Sequence, residues 1–304
     1  MPPAPVVINT DPFCDVDLLP LEETQGKYAV VRLKNAETGT FTPLDTKGAI
    51  HGRDYRLVPN TLINQLAQDV LTKTEMPFEL LNQAKEFNGH RGQHTVWDGK
   101  KFARRWIINQ AHSDDRLGTL MMGVEAVNSY DGSFKVGLQF FFINTDCVNQ
   151  FHSGNLMGSF IFSHFDRGDR TLEADIEQAV TMVGQQAKSF ALVLPKLREL
   201  LKPMTNGTDS LSRFLAIRNE LAAETPAWPP SYDGDVLDEL RGCGPTAKLK
   251  LPQRHSVTNG KHTLWDLLNA YTAVTTHKVG GFRGTSLSRM VTDHFVARAP
   301  AWAN

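Results

Sequence analysis

The sequence predicts an α+β protein, with antiparallel sheet in the N-terminal half and mostly helices in the C-terminal half. Strand-like segments separated by turn residues continue to about residue 165, and apolar residues then recur every three or four positions. Strands followed by helices are typical of α+β folds. We predict an N-terminal extension (1–27), a mixed antiparallel sheet domain (28–165) and a helical part (166–304) that packs on the sheet, either as a separate domain or as part of the same one.

The first predicted element is a hairpin, with strands over residues 28–33 and 40–44 joined by a turn over 35–39. A further strand is predicted over residues 53–58. Pro59 then precedes an amphipathic helix, because the apolar residues that follow have helical spacing. Those residues are Leu62, Ile63, Leu66, Val70 and Leu71.

A second sheet region begins at Asp98-Gly99, which has the turn chemistry of a two-residue hairpin. Strands are predicted over residues 102–111, 117–127 and 134–143, with a tight turn at 130–133. Side chains on a strand alternate between faces, so the apolar residues of the last strand share one face and predict core. Those residues are Phe134, Val136, Leu138, Phe140 and Phe142.

Helical spacing starts at Thr171 and predicts a long helix. Pro195 lies inside this pattern, and we expect a kink or a restart there because proline has no amide hydrogen. Thr208 or Asp209 is predicted to cap the next helix. Residues 225–230 predict a stiff, proline-rich connector that could act as a hinge.

Composition restricts the possible functions. The formal net charge is -1, which excludes the overall basicity of many nucleic-acid binders and requires any polyanion site to be local. The 3 cysteines are far apart and favour a reducing cytoplasm over a disulfide framework. The N-terminus lacks the pattern of a secretory signal, and the most apolar stretch, 140–143, is too short to cross a membrane.

Residues 97–106 are both basic and aromatic. Cations neutralise phosphates and flat rings stack on bases, so this hairpin predicts a binding surface for single-stranded nucleic acid. The same pattern also fits an ordinary sheet whose aromatic side chains point into the core while arginines cover its edge. The candidate residues are Lys100, Lys101, Arg104, Arg105 and Trp106.

A second basic segment spans residues 276–289 and adds Lys278, Arg283 and Arg289 to the candidate site. Its glycines would let the backbone approach an anion, and Thr285 or Ser286 could cap a helix whose free amides favour phosphate. Alternatively, the segment is a loop after a helix that Gly280 terminates.

Other chemistry is weakly indicated. His90 and His94 have the spacing of helical metal ligands, but the glycines around them argue against a helix, so we predict neither metal nor cofactor. Cys147 and His152 are close in sequence, although catalytic pairs are defined by geometry. Motifs of dinucleotide-binding, hydrolase and metalloprotease sites are absent from the sequence, and an enzyme is not favoured.

Several short motifs occur in a distinctive order. They are Asn128-Ser129-Tyr130-Asp131-Gly132-Ser133, Cys147-Val148-Asn149, Gly158-Ser159-Phe160-Ile161-Phe162-Ser163-His164, and then Thr263, Trp265, Asn269, Ala270 and His277. In order and approximate spacing they resemble the phage/plasmid-like protein family catalogued as domain of unknown function number 932, from about Tyr28 to His277. Residues 140–144 depart from that family, whose members more often have arginine before the cysteine. The resemblance implies a mobile-element origin and a bacterial cytoplasm, and it assigns no catalytic residue.

Two of the motifs also have a structural interpretation. Asp131-Gly132 suits a tight turn, and Thr263 with Asp266 can cap a helix.

Two functional hypotheses follow. The first is a non-enzymatic protein that binds single-stranded DNA or RNA, as a homo-oligomer that protects or anneals strands in replication or recombination. The second is a protein-interaction factor in counter-defence, maintenance or the virion, which the near-neutral charge favours.

Overall fold

The computed structural model describes residues 11–44, 49–52, 55, 57–81, 94–133, 135–145, 147, 149–154, 156–162, 172–203, 210–244 and 262–302. The strands are β1 (Val16–Pro20), β2 (Tyr28–Lys34), β3 (Phe41–Pro43), β4 (Ile50–Gly52), β5 (Phe78–Leu80), β6 (Thr95–Trp97), β7 (Lys101–Asp114), β8 (Gly118–Ser129), β9 (Gly137–Asn144), β10 (Asn149–His152) and β11 (Ser159–Ile161). The α-helices are α1 (Asn60–Lys73), α2 (Leu172–Arg198), α3 (Ser210–Ala222), α4 (Asp233–Leu240), α5 (Leu264–Ala273) and α6 (Gly281–Trp302). The predicted α+β class is confirmed.

The smaller sheet has the order β1-β2-β3, with β4 also paired to β2. Its β2–β3 pair is the predicted first hairpin, and β1 lies within the predicted N-terminal extension. The predicted strand over residues 53–58 is wrong for the described residues 55, 57 and 58, and the remaining residues of that segment lie outside the description. The amide of Tyr55 instead closes a turn on the carbonyl of Gly52 at 3.0 Å.

The larger sheet has the order β10-β9-β8-β7-β5, with β11 beside β9 and β6 beside β7. The predicted turn at Asp98-Gly99 joins β6 to β7, and Asp98 Oδ1 accepts hydrogen bonds from the amides of Lys100 and Lys101 at 3.1 and 2.7 Å. The predicted apolar face of β9 is buried in the main core. Its confirmed members are Val136, Leu138, Phe140 and Phe142, whereas Phe134 lies outside the described residues.

Aromatic stacking joins this sheet to the helical half. The rings of Phe142 on β9 and Phe151 on β10 stack with centroids 4.7 Å apart, and Phe151 in turn stacks on Trp265 of α5 at 5.2 Å. Because such rings bury large apolar areas, this stack fixes α5 against the edge of the sheet.

The long predicted helix is α2, and it does not restart at Pro195. It continues to Arg198 and ends in a 3-10 turn, Glu199–Leu201. Proline removes one hydrogen bond near the end of the helix, and the buried side chains of Leu197 and Leu200 hold the last turn in place. The predicted caps Thr208 and Asp209 lie outside the described residues.

The predicted connector, 225–230, is anchored to the core by its tryptophan. Trp228 is buried, and its indole Nε1 donates to Asp233 at 3.0 Å. Among the helices of the described chain, not one has the length and apolarity needed to span a membrane.

The start of α5 confirms the predicted helix cap. Thr263 Oγ1 accepts a hydrogen bond from the amide of Asp266 at 3.1 Å, and Asp266 Oδ2 accepts from the amide of Thr263 at 2.8 Å. This reciprocal pair is a capping box, in which two otherwise unpaired amides are satisfied.

We predict that Asp266→Ala lowers the free energy of unfolding by about 1 kcal/mol, because the acceptor for Thr263 is lost. Urea denaturation followed by circular dichroism measures the change. Asp69→Ala is the matched control, since Asp69 lies within α1 and makes a single exposed bond to Gln65. Equal losses in both variants would contradict the role of the cap.

Candidate nucleic-acid interface

Arg104 and Trp106 point toward the main core. Neighbouring Phe102 belongs to the core, Trp106 is 1% exposed, and the Arg104 guanidinium lies 5.2 Å from the ring of Phe13 and 5.9 Å from that of Trp106. Burial lowers the pKa of Arg104. Trp106 is therefore unavailable to stack on a base, as the ordinary-sheet interpretation expects.

Arg105 points to the opposite face of the same sheet and is also buried. Its Nε donates to Glu125 Oε1 at 2.6 Å, and the two side chains are 4% and 2% exposed. Its Nη2 donates to Thr285 Oγ1 on α6 at 2.8 Å. A buried charge requires such a partner, so Glu125 rather than a phosphate neutralises Arg105.

Lys100 and Lys101 lie at the start of β7 near the Asp131 turn. Lys100 Nζ is 3.6 Å from Asp131 Oδ2. Burial alone would raise the pKa of Asp131, but hydrogen bonds from Ser133 and the charges of Lys101 and Lys100 lower it overall. Alternation puts Lys101 on the same face of β7 as Arg105, which is the face that α6 approaches.

The two predicted basic segments meet at the start of α6. Phe282 packs against Val96, Ala103 and Val127 of the sheet, on the face of β7 that also carries Lys101. Thr285, one turn further along α6, holds Arg105. Apolar packing and one partly buried hydrogen bond therefore bring the hairpin and the glycine-rich segment together.

Backbone geometry explains the glycines of this segment. Gly280 and Gly281 have φ of 61° and 56°, and Gly280 ends a π-helix, Val274–Val279, which joins α5 to α6. A Cβ at Gly284 would lie 2.4 Å from the carbonyl oxygen of Thr275. The prediction that Thr285 or Ser286 caps the helix is wrong, because α6 already begins at Gly281.

Lys278 and Arg283 converge on one aromatic ring. Lys278 Nζ and the guanidinium carbon of Arg283 lie 6.0 and 5.9 Å from the ring centroid of Tyr232. Lys278 also contacts both carboxylate oxygens of Asp235 at 2.6 Å. Lys278, Arg283 and Tyr232 are called the α6 surface below, and Lys101 lies on the face of β7 against which Phe282 packs.

Arg289 lies two turns further along α6. Its guanidinium packs over the backbone of Gly154, where an added Cβ would be 2.3 Å from Nη2. Asp293 is 3.9 Å away and accepts hydrogen bonds from Ser153 Oγ and the amide of Gly154 at 2.5 and 3.2 Å. Arg289 thus remains half-exposed, outside the α6 surface.

The first sequence motif, residues 128–133, has a structural role. Asn128 Nδ2 donates to the carbonyl of Val58 at 2.8 Å and to Asn60 Oδ1 at 2.9 Å, and the Tyr130 hydroxyl accepts from the amide of Asn60 at 2.9 Å. These bonds hold the first turn of α1, which has no side-chain cap of its own.

Four residues of the later motifs form a single chain of hydrogen bonds. The Cys147 thiol donates to Asn269 Oδ1 at 3.5 Å, Asn149 Nδ2 donates to the carbonyl of Asn269 at 3.1 Å, and His277 Nε2 lies 3.1 Å from Asn149 Oδ1. Because that oxygen only accepts, Nε2 of His277 carries the proton. The chain ties β10 to α5 and the π-helix.

The structure describes only one of the two histidines that have metal-ligand spacing. His94 Nδ1 contacts Thr95 Oγ1 at 2.6 Å, whereas His90, like Val148, Ser163 and His164 of the motifs, lies outside the described residues. Among the residues described, no group of at least 3 histidine, cysteine or acidic side chains could hold a metal ion.

His152 has its own environment, separate from the thiol of Cys147. Its ring stacks on Phe141 with centroids 5.0 Å apart. Complete burial lowers its pKa to about 4, and the charge of Glu125 only partly opposes that shift. His152 is therefore a neutral core residue above that pH.

Sequence reasoning missed Tyr232, Asp235 and Glu125. Tyr232 and Asp235 occur at the start of α4 in an ordinary turn-and-helix sequence, and Glu125 is the one charged residue of β8. The isolated charge in β8 was the one available signal, since a buried carboxylate requires a cationic partner. Which cation that is depends on the pairing of β7 with β8.

Comparison with protein-family models, curated proteins and solved structures found no match for this chain. The similarity to the phage/plasmid-like family stays a prediction from the motifs quoted above.

We predict that His152 makes stability fall as the pH falls. Its pKa is about 4 when folded and near 6.5 otherwise, so the unfolded chain binds the proton more tightly. The stabilisation is complete above pH 6.5 and is lost toward pH 4, by up to about 3 kcal/mol. Urea denaturation at several pH values across this window measures the free energy of unfolding of wild type and His152→Phe. This free energy should fall less steeply with falling pH in the variant. Parallel slopes would contradict this assignment.

Proposed function

We propose that this protein is a non-enzymatic nucleic-acid-binding protein of a mobile genetic element, and that it holds single strands on the α6 surface. The observation that carries the proposal is the convergence of Lys278 and Arg283 on Tyr232, beside the hairpin that carries Lys101. The proposed setting is strand protection or annealing during replication or recombination, by a homo-oligomer in the bacterial cytoplasm.

The chemistry of the α6 surface suits a single strand. Lysine and arginine neutralise phosphates, while a tyrosine ring accepts a base on its face whatever the sequence. The exposed side chains of Lys278 and Arg283 reach over the ring and can turn toward phosphate without opening the core. The first turn of α6 adds backbone amides that have no partner within the helix, and these favour anions.

Asp235 opposes this role. It accepts from Lys278 at 2.6 Å and so competes with phosphate for the same ammonium group. The surface carries few cations, and the whole chain has a net charge of -1. We therefore expect binding that is weak and strongly dependent on salt.

Removing a cation from the α6 surface should weaken binding, and removing the competing carboxylate should strengthen it. We expect Arg283→Ala and Lys278→Ala each to reduce the magnitude of the salt slope by about 0.7, the value for one phosphate contact on a single strand. Asp235→Asn should raise the affinity. Fluorescence anisotropy with a labelled oligothymidylate at several salt concentrations measures both effects.

Arg198→Ala is the matched control. Arg198 is an exposed arginine paired with Asp114, at the end of β7 opposite Lys101, and its loss should leave binding unchanged. Absence of binding by wild type at low salt would end the proposal. The native mass and the ultraviolet absorbance ratio before and after nuclease test the proposed oligomer.

A second candidate function, protein interaction, is favoured by the outer face of the smaller sheet. Leu19, Tyr28 and Ile50 are 38%, 49% and 45% exposed. Leu19 and Ile50 both pair with Val30, so they form one row across the sheet, and Tyr28 lies two residues along the same face. Exposed apolar groups in one patch are typical of surfaces that bind a protein partner.

The protein-interaction candidate predicts a partner that this face retains. A tagged wild-type protein should capture a stoichiometric partner from nuclease-treated host lysate, and Tyr28→Ser with Ile50→Ser should lose it, because the apolar row is broken. Leu192→Ser is the control, since Leu192 is an exposed leucine on α2. Capture that is unaffected by the double variant would exclude this face.

A further inference from the structure

A groove follows α6 beyond the α6 surface. Its volume is about 500 Å³, and it separates α6 from the connector that follows α3. Its polar lining on α6 consists of Ser286, Arg289, Asp293, His294 and Arg298, and the opposite wall consists of Glu224, Thr225 and Pro226.

The groove begins where the α6 surface ends. Residues three or four positions apart share one side of a helix, so Arg283, Ser286, Met290, Asp293 and Ala297 form a continuous stripe along α6. From Arg283 to Arg298 the helix rises about 22 Å at 1.5 Å per residue. A short extended strand bound at Arg283 would therefore run directly into the groove.

The carboxylates of the groove contact polar groups of the protein. Asp293 accepts from Ser153 and Gly154, and Glu224 lies 3.0 Å from Nδ1 of His294. His294 Nε2 is 3.3 Å from Glu220, so the imidazole lies between two carboxylates.

The guanidinium groups of the groove are less engaged. Arg289 and Arg298 are 50% and 59% exposed, and within the described residues their nearest carboxylate contacts, to Asp293 and Glu220, are each 3.9 Å long. That is too long for a hydrogen bond. The two guanidinium groups can therefore donate hydrogen bonds to a ligand.

We infer that this groove is a second phosphate-binding subsite, in which Arg289 and Arg298 continue the path of a single strand that enters at Arg283. The inference rests on the proposed function and extends it, because it predicts the length of single strand that one protein chain binds. Guanidinium groups bind phosphate through two parallel hydrogen bonds, so they can contribute even though the carboxylates of Asp293, Glu224 and Glu220 outnumber the two arginines. Met290, Pro226 and Ala297 provide the apolar surface between the two arginines on which a sugar or base can lie.

Oligonucleotide length distinguishes the two sites. With labelled oligothymidylates from dinucleotide to dodecanucleotide, Arg283→Ala should weaken binding at every length. Arg298→Ala should leave the shortest oligonucleotides unaffected and reduce the salt slope of the longer ones by about 0.7, because only they reach the groove. Glu224→Gln should strengthen binding of the longer ones, since it removes a negative charge from the path.

The outcomes distinguish failure of the groove inference alone from failure of the proposed function. Arg298 is exposed, so equal melting temperatures for wild type and Arg298→Ala would show that folding is intact, and Arg198→Ala again controls for loss of one arginine. If wild type binds and Arg298→Ala matches it at every length, the groove inference is overturned while the proposed function stands. If wild type binds no oligonucleotide of any length, both fail. An equal loss at all lengths in Arg298→Ala also overturns a separate subsite.

Discussion

The buried ion pair between Arg105 and Glu125 governs the arrangement of the larger sheet and α6. Burying either charge alone would be strongly unfavourable, so the pair forces β7 and β8 into the register that brings the two side chains together. A second donor of Arg105, Nη2, bonds to Thr285 on α6. The first turns of α6 are thus fixed on one face of the sheet, and with them the position of Lys278 and Arg283.

The contacts of β10 with α5 and the π-helix depend on different chemistry. Hydrogen bonds among Cys147, Asn149, Asn269 and His277 connect β10 to α5 and the π-helix. The stack of Phe142, Phe151 and Trp265 packs the same elements on the core side. A π-helix contains an extra residue in its turn, which costs stability unless surrounding contacts hold it. The side chains from β10 supply those contacts. The motif residues of this region therefore have a structural role, because they position the start of α6.

Local sequence patterns were sufficient to predict the elements that depend only on their own residues. The turn at Asp98-Gly99, the capping box of Thr263 and Asp266, and the apolar face of β9 were all predicted, because turn angles, cap bonds and alternation act over a few positions. The predicted strand over residues 53–58 is wrong at the described residues 55, 57 and 58, again because of local chemistry. Tyr55 closes a local turn on Gly52, and a strand-like composition does not reveal it.

The sequence by itself determined the fold class, the order of the main strands and helices, and the fact that basic residues gather near positions 100 and 283. Tertiary structure alone decided which of those charges face solvent. Alternation along β7 assigns residues to two faces without saying which face is covered, and both faces are covered. Trp106 entered the core, Arg105 met Glu125 from a strand 20 residues away in sequence, and Arg283 and Lys278 met a tyrosine on another helix. Burial and charge pairing depend on what packs against a residue, and contacts between distant segments cannot be obtained from spacing along the chain.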